Sequence, residues 1–243
     1  ISSSIITCLP AKEILISDLR ISYGKGCEIR YDDQMLTPGE LVSVTGNNGS
    51  GKSTFLNLLR KDISYSGKIL VGDKQLSKIS SESWSNNFVY ISQDANVYGT
   101  TLRDAISHSD NPDMDILNDL AKNLDIYDLL DKSINEISGG QRQRVAVARG
   151  VYSILDSDAW ILLADEPTAH LDEENKKRVT KLLSEISLLG YCVVVATHDE
   201  IVKNAASKNV PVGKNISIEY ANAISGEPLV DKLHEINQTE NEI

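Results

Sequence analysis

Long apolar runs are missing from this chain. No stretch approaches the ~18 residues that a membrane-crossing helix needs, so no part of the sequence reads as a span. The opening ISSSIITCLP lacks the positive flank and apolar length of a signal peptide. Cysteine is scarce: Cys8, Cys27 and Cys192 are the full set, an odd number with no pair at metal-ligand spacing. They read as reduced thiols of a cytosolic protein, Cys192 lying inside an apolar strand-like run. A basic excess is also absent. Lys and Arg number 24 against 35 Asp and Glu, a formal charge of −11, and the stretch from Glu227 onward is mostly acidic. That balance argues against nucleic acid and anionic lipid as general partners, while leaving room for a local basic site. There is no internal repeat and no long low-complexity tract. The first residue is Ile1 rather than Met, so the chain is either processed or cut from something longer.

What is present suits one large domain with an inserted subdomain: 243 residues, 41% of them apolar, enough for a real core. EILISDLRISY and CEIRYD read as an opening antiparallel region. ELVSVT reads as a buried strand, followed by a glycine loop and the helix KSTFLNLLRK; GKILVGD and NFVYIS read as further strands. From about Thr101 to Asp131 the pattern turns helical and polar, as an insertion would. Strand–helix alternation then resumes: GQRQRVAVARGVY (helix), AWILLAD (strand), DEENKKRVTKLLSEISLL (helix), YCVVVAT (strand), EIVKNAA (helix). Continuous apolar strands alternating with helices imply an α/β sheet covered on both faces. A strand is expected at NISIEYA and a frayed end at NQTENEI.

The loop GNNGSGKST fits G-x-x-x-x-G-K-[ST], with Gly46, Gly51, Lys52 and Ser53 at the fixed positions. Gly46, Gly49 and Gly51 permit positive φ, so the N–H groups of Asn47, Asn48, Ser50 and Thr54 and their neighbours can close around a phosphate. The following helix aims its positive end at the same point. Lys52 is expected to reach the β- and γ-phosphates and the Ser53 hydroxyl to ligate Mg²⁺. A plain glycine-rich turn would match this pattern by chance on the order of once in a hundred such chains, and strand and helix flank it as required. The loop is read as holding a nucleoside triphosphate, which leaves kinases, GTPases, helicases and transport ATPases open.

WILLADEP places Asp165 and Glu166 at the carboxyl end of an apolar strand. Asp165 is expected to hold the Mg²⁺ shell and Glu166 to take a proton from an attacking water; the plainer alternative is an acidic helix cap. In NEISGGQRQRVAVARG, Ser138, Gly139, Gly140 and Gln141 open a helix with a hydroxyl and free N–H groups for an anion.

ISGGQ closely resembles the LSGGQ signature of the ATP-binding cassette (ABC) ATPases. Further landmarks follow that family's order. Gln93 in YISQD matches its Q-loop, which contacts Mg²⁺ and water and faces the membrane partner. Asp172 in AHLD matches its D-loop, and His198 in VVVATHD the switch histidine that touches the γ-phosphate. Tyr23 stands where the family stacks an aromatic on adenine, with Tyr31 as the spare candidate. The resemblance covers roughly Glu13 to Ala206. Departures are mild: Ile137 replaces leucine and Gly150 stands where alanine is common. The resemblance implies a P-loop NTPase (RecA-like) core with a mostly parallel sheet, an N-terminal antiparallel β subdomain and an inserted α-helical subdomain. The expected division is 11–94 and 157–225 for the core, 95–156 for the helical part and 226–243 for a frayed tail.

The resemblance also implies ATP hydrolysis with Mg²⁺ between two cassettes, Ser138 and Gly140 acting on the second subunit's nucleotide. The motor would sit on the cytoplasmic face of a membrane, driving a transmembrane partner through the groove near Gln93. ISQDANVYGTTLRDAI is similar to exporter cassettes, whereas ADEPTAHLD is more like import and lipoprotein-release cassettes and cytochrome bd thiol exporters; the balance favours export. Three alternatives stand. A non-transport ABC ATPase would carry coiled-coil or zinc insertions or a second cassette, none of which is seen. A GTPase switch would need N-K-x-D, which the NKKR at Asn175 is not. A cassette that binds without turnover is argued against by Glu166 and His198.

Overall fold

The computed structural model describes residues 12–22, 28–109 and 111–212. Two sheets organise them. The first is antiparallel: β1 (Ile14–Ser22) pairs with β2 (Glu28–Tyr31), β3 (Gln34–Leu36) and β5 (Ser66–Val71), and β6 (Lys74–Gln75) continues from β5. The second contains β4 (Leu41–Thr45), β7 (Phe88–Ile91), β8 (Ile161–Asp165), β9 (Cys192–Ala196) and β10 (Lys208–Pro211) in the order β10-β4-β9-β8-β7, every pair parallel. The helices are α1 (Lys52–Arg60), α2 (Ser81–Ser85), α3 (Leu102–Ser107), α4 (Met114–Asn123), α5 (Gly139–Leu155), α6 (Glu173–Leu188) and α7 (Glu200–Ala205). This is the expected α/β architecture, an antiparallel sheet beside a parallel one with helices against both.

The parallel strands are apolar throughout because both faces are covered. Alternate residues serve different cores. Val42, Val44, Ile161, Leu163, Cys192 and Val194 pack with Phe55, Leu56 and Leu59 of α1 and with Ile14 and Ile16 of the antiparallel sheet. Leu41, Leu162, Ala164, Val193 and Val195 face the other way, onto Val147 and Val151 of α5 and Val179 and Leu183 of α6.

Register decides where the site lies. Val44 pairs with Ala196, and Ala196 with Asp165. Adjacent strands are ~4.8 Å apart, so the carboxyl ends of β4, β9 and β8 fall within about 10 Å of one another. Ligands of open parallel sheets gather at that edge.

Local sequence explains most helix starts. Thr101 with Asp104 and Ser138 with Gln141 form reciprocal capping boxes at α3 and α5, while Asp113 and Asp172 cap α4 and α6. The helical region expected from about Thr101 to Asp131 contains α3, α4 and a single 3₁₀ turn at Tyr127–Leu129. Sequence reasoning passed over β3, β6, α2 and β10. The last is short and polar and ends in Pro211; among the described residues it is the edge of its sheet, a place where proline's missing N–H is tolerated. The strand expected at NISIEYA and the tail 226–243 lie outside the described residues.

Candidate active site

β4 ends at Thr45 and the chain turns at once into the glycine loop. Gly46 has φ 157°, and a Cβ there would lie 2.4 Å from the Val212 carbonyl oxygen and 2.5 Å from Ser50 Oγ. A side chain does not fit. Gly51 precedes α1 with φ 112° and leaves the first turn without a side-chain cap. The positive end of the helix dipole points into the loop, as an anion site requires. The Lys52 ammonium donates to the carbonyls of Gly46 (3.0 Å) and Asn47 (3.3 Å) and lies 3.9 Å from Glu166 Oε1.

The turn after β8 is unusual. Glu166 adopts the left-handed region at φ 47°, and His170, closing the same segment, φ 61°. Such backbone costs about 1–3 kcal/mol per residue and persists only where surroundings enforce it. Here the Glu166 N–H donates to Ala196 O at 2.8 Å, carrying the β8–β9 ladder one residue further. The carboxylate is then fixed at both oxygens: His198 Nδ1 lies 2.8 Å from Oε1, and Thr197 Oγ1 donates to Oε2 at 3.2 Å. A carboxylate only accepts, so this contact places a proton on Nδ1.

Asp165 lies deeper. Burial pushes its carboxyl up, with the neighbouring Glu166 charge in the same direction, against the pull of hydrogen bonds from Ser53 and Tyr90. Its Oδ1 is buried and has no hydrogen-bond partner among the described residues. Asp199, after His198, is driven up by burial but held below the usual carboxylate range overall by the Ile201 N–H, Lys176 and Thr168; the Lys176 and Thr168 contacts are both 3.0 Å.

A cleft of about 560 Å³ opens over Lys52, Glu166, His198 and Asp199; Asp165 and Thr197 stand just behind it and are not among the residues that line it. Asn48, Gly49, Lys52, Ser53, Gln93, Glu166, His170, Lys176 and His198 line it. Residues as far apart in the chain as Asn48 and His198 thus meet where the strand register directs them. Ser138, Gly139, Gly140 and Gln141 are not among the lining residues. They open α5, where Ser138 and Gly139 are exposed, and the Ser138 Oγ accepts from Gln141 N at 3.2 Å. Asp172 likewise stands outside the cleft, as the cap of α6.

The model of the ABC transporter family matches residues 33–169, more than half the chain. The chain belongs to the ABC transporter family. An ABC transporter ATP-binding protein of Clostridium tetani (strain Massachusetts / E88) is 31% identical over 205 residues, which take in 79% of the cassette and 45% of that protein. The macrolide export ATP-binding/permease protein MacB of Bartonella quintana (strain Toulouse) is 32% identical over 187 residues, 72% of the cassette and 28% of MacB. The cassette therefore spans less than half the length of these curated relatives. A bacterial Atm1-family ABC exporter solved with ATP bound shares the fold, with a TM-score of 0.73 at 19% identity over 85% of the cassette and 38% of that chain. The cassette is an ATP hydrolase of the ABC type.

The site fits the magnesium that the family's chemistry calls for. An orphaned, buried Asp165 oxygen beside the Ser53 hydroxyl is a hard oxygen donor set at the mouth of a phosphate loop.

Two further placements matter. Tyr23 lies outside the described residues. Tyr31, the spare candidate for adenine, is corrected: it is 4% exposed, packs on Phe55 at 5.2 Å between ring centroids and donates its hydroxyl to Gly51 O at 2.9 Å. It braces the glycine loop from inside the core. Sequence reasoning also missed Thr197, whose only signal was its place directly before His198. It missed Gln143 as well, a polar residue on an otherwise apolar helix face.

Proposed function

We propose that this cassette supplies the power stroke of an ABC exporter. It would close on a second cassette over two ATP molecules, hydrolyse them and reopen, moving a transmembrane partner at the cytoplasmic face of the membrane. The observation that carries this reading is the Glu166 carboxylate, fixed by His198 and Thr197 and 3.9 Å from the Lys52 ammonium, at the edge of the phosphate-loop cleft.

Each group then has a task. The loop Gly46–Thr54 grips the triphosphate with backbone N–H groups and Lys52. Ser53, Asp165 and Gln93 would hold Mg²⁺, which offsets charge on the phosphate oxygens. Glu166 accepts the proton of a water as its oxygen attacks the γ-phosphorus; the bond to the bridging oxygen breaks and ADP departs. His198 keeps its Nδ1–H on Glu166 and presents the other edge of its ring toward the γ-phosphate. Ser138 and Gly139, exposed, and the half-buried Gly140, all away from their own cleft, serve the second copy's nucleotide, where a helix N-terminus and a hydroxyl suit an anion. Asp172 would serve that same interface, and Tyr23 would stack on the adenine. ATP thus biases a two-state equilibrium through contacts that only the closed pair makes.

Gln93 is exposed at the cleft and followed by the exposed Tyr98, a surface suited to the membrane partner. No helix among the described residues is long and apolar enough to cross a membrane. Export is favoured by the TLRDAI segment after Gln93, by the likeness to MacB, whose name records macrolide export, and by the Atm1-family exporter.

Glu166→Gln tests the reading. It keeps the shape and removes the base, so ATP binding should persist while hydrolysis slows by ~10²–10⁴-fold. The ATP-bound pair should then accumulate on size exclusion. Turnover near that of the unaltered chain would remove Glu166 from this role.

A further inference from the structure

α5 does more than present Ser138 and Gly139. Its first turns lie along the strained segment that carries the catalytic carboxylate. A Cβ on Gly140 would lie 3.5 Å from His170 O and 3.6 Å from a Leu171 methyl, so the helix rests against the far end of that segment. One turn on, at the i+3 position of the same face, Gln143 is 3% exposed. Its Nε2 donates to the Pro167 carbonyl at 3.2 Å and, at 3.4 Å, to that of Glu166. The Glu166 carbonyl also accepts from Ala169 N at 3.0 Å. The side-chain amide therefore holds the backbone of Glu166 itself, the residue in the left-handed conformation.

We infer that Gln143 is a positioning residue that fixes the catalytic Glu166 of its own chain to the helix whose start serves the partner's nucleotide. The inference rests on the proposed two-cassette reading. Motion of α5, set by contact with the neighbouring nucleotide, is delivered through the amide to the Glu166–Pro167 backbone. The side chains of Glu166 and His198 need not transmit it. The register of the helix against this turn thus sets where the carboxylate stands relative to the γ-phosphate.

Gln143→Met preserves length and volume and removes the donor. Two differently tagged copies of the full chain are mixed, trapped with ATP and Mg²⁺, and the mixed pair isolated. One copy carries Glu166→Gln, so only the other copy's site turns over. Placing Gln143→Met on the catalytic copy should lower turnover roughly five- to tenfold, the loss expected for one buried hydrogen bond. Placing it on the Glu166→Gln copy, which lends only its signature to the working site, should leave turnover unchanged. Equal loss in both placements would mean that Gln143 merely supports the helix, and no loss in either would mean that the amide does not act; each overturns the inference. A reference pair, bearing Glu166→Gln on one copy and no other change, that fails to form or to hydrolyse ATP would instead refute the two-cassette reading. Should the Met variant not fold by thermal melting, Gln143→Asn, one methylene short of the carbonyls, replaces it with the same asymmetry expected.

Discussion

Gly150 offers a test of how the two halves of the molecule are packed together. It lies in the interior of α5 against Ile91, the last residue of β7. A Cβ at position 150 would sit 2.3 Å from Ile91 Cγ1 and 2.6 Å from Cδ1, against the ~3.5–4.0 Å that two carbons need. Ile91 is 2% exposed, enclosed by the core around it. Two terms compete in Gly150→Ala. Alanine gains about 1 kcal/mol over glycine in a helix interior, and overpacking a filled core costs about 1–3 kcal/mol. The net expectation is a destabilisation of about 1 kcal/mol. Ile91→Ala removes both clashing carbons and alone costs about 2–5 kcal/mol. In that background Gly150→Ala should stabilise by about 1 kcal/mol, since only the helix term and some cavity filling remain. The coupling between the two positions is therefore about 2 kcal/mol. Urea unfolding of the four chains without nucleotide reads it directly as changes in midpoint at constant slope. Gly150→Ala stabilising the unaltered chain, with no change on adding Ile91→Ala, would refute the reasoning. The contact also bears on activity. Ile91 stands two residues before Gln93, so the single variant should depress ATP turnover and the pair should recover part of it.

Further outcomes are expected elsewhere. Lys52→Ala should weaken ATP binding roughly 10- to 100-fold, the value of a charge-assisted contact, by nucleotide titration; unchanged affinity would count against the phosphate loop. Arg144 sends one guanidinium nitrogen to the carbonyls of Leu124 (2.7 Å) and Asp125 (2.8 Å), just past the end of α4. Arg144→Met should cost about 2–4 kcal/mol, and a loss under ~0.5 kcal/mol in the same unfolding assay would show those carbonyls to be satisfied otherwise. Burial, with a smaller push from Glu40, raises the Cys192 thiol to about 12, leaving about one part in 10⁴ as thiolate at pH 8. Maleimide should spare Cys192 in the native chain and label it in denaturant, as read by peptide mass mapping; rapid native labelling would contradict the packing.

What the sequence disclosed and what it hid divide along a physical line. The phosphate loop, the acids that close the WILLADE run and the Ser138 helix start were legible because each is a short stretch whose chemistry is local. β4, β8 and β9 were legible because both their faces are buried, which leaves continuous apolar letters. β10 left no such trace: it gains its place from pairing with β4, far away in the chain, not from its own composition. Gln143 was hidden for a similar reason, since its amide meets a carbonyl that no local pattern announces. The left-handed turn at Glu166 is imposed by Ala196, Thr197 and His198, not by a glycine that could be read. Gly150 reads in the sequence as a mild departure; its reason, the Ile91 side chain, lies across the interface between α5 and β7.

The position of β10 has a consequence for how the molecule is made. β4 is bounded on one side by β9 and on the other by β10, and Val212 beyond β10 donates to Thr45 O at 2.7 Å, beside Gly46. A ribosome releases β4 early, with both edges bare, and supplies its neighbours only after residue 190. Until then an apolar strand waits without hydrogen-bond partners, the kind of surface that pairs with the wrong chain. α1 and the antiparallel sheet are made in time to cover one face of β4, but its two edges stay open until β9 and β10 follow.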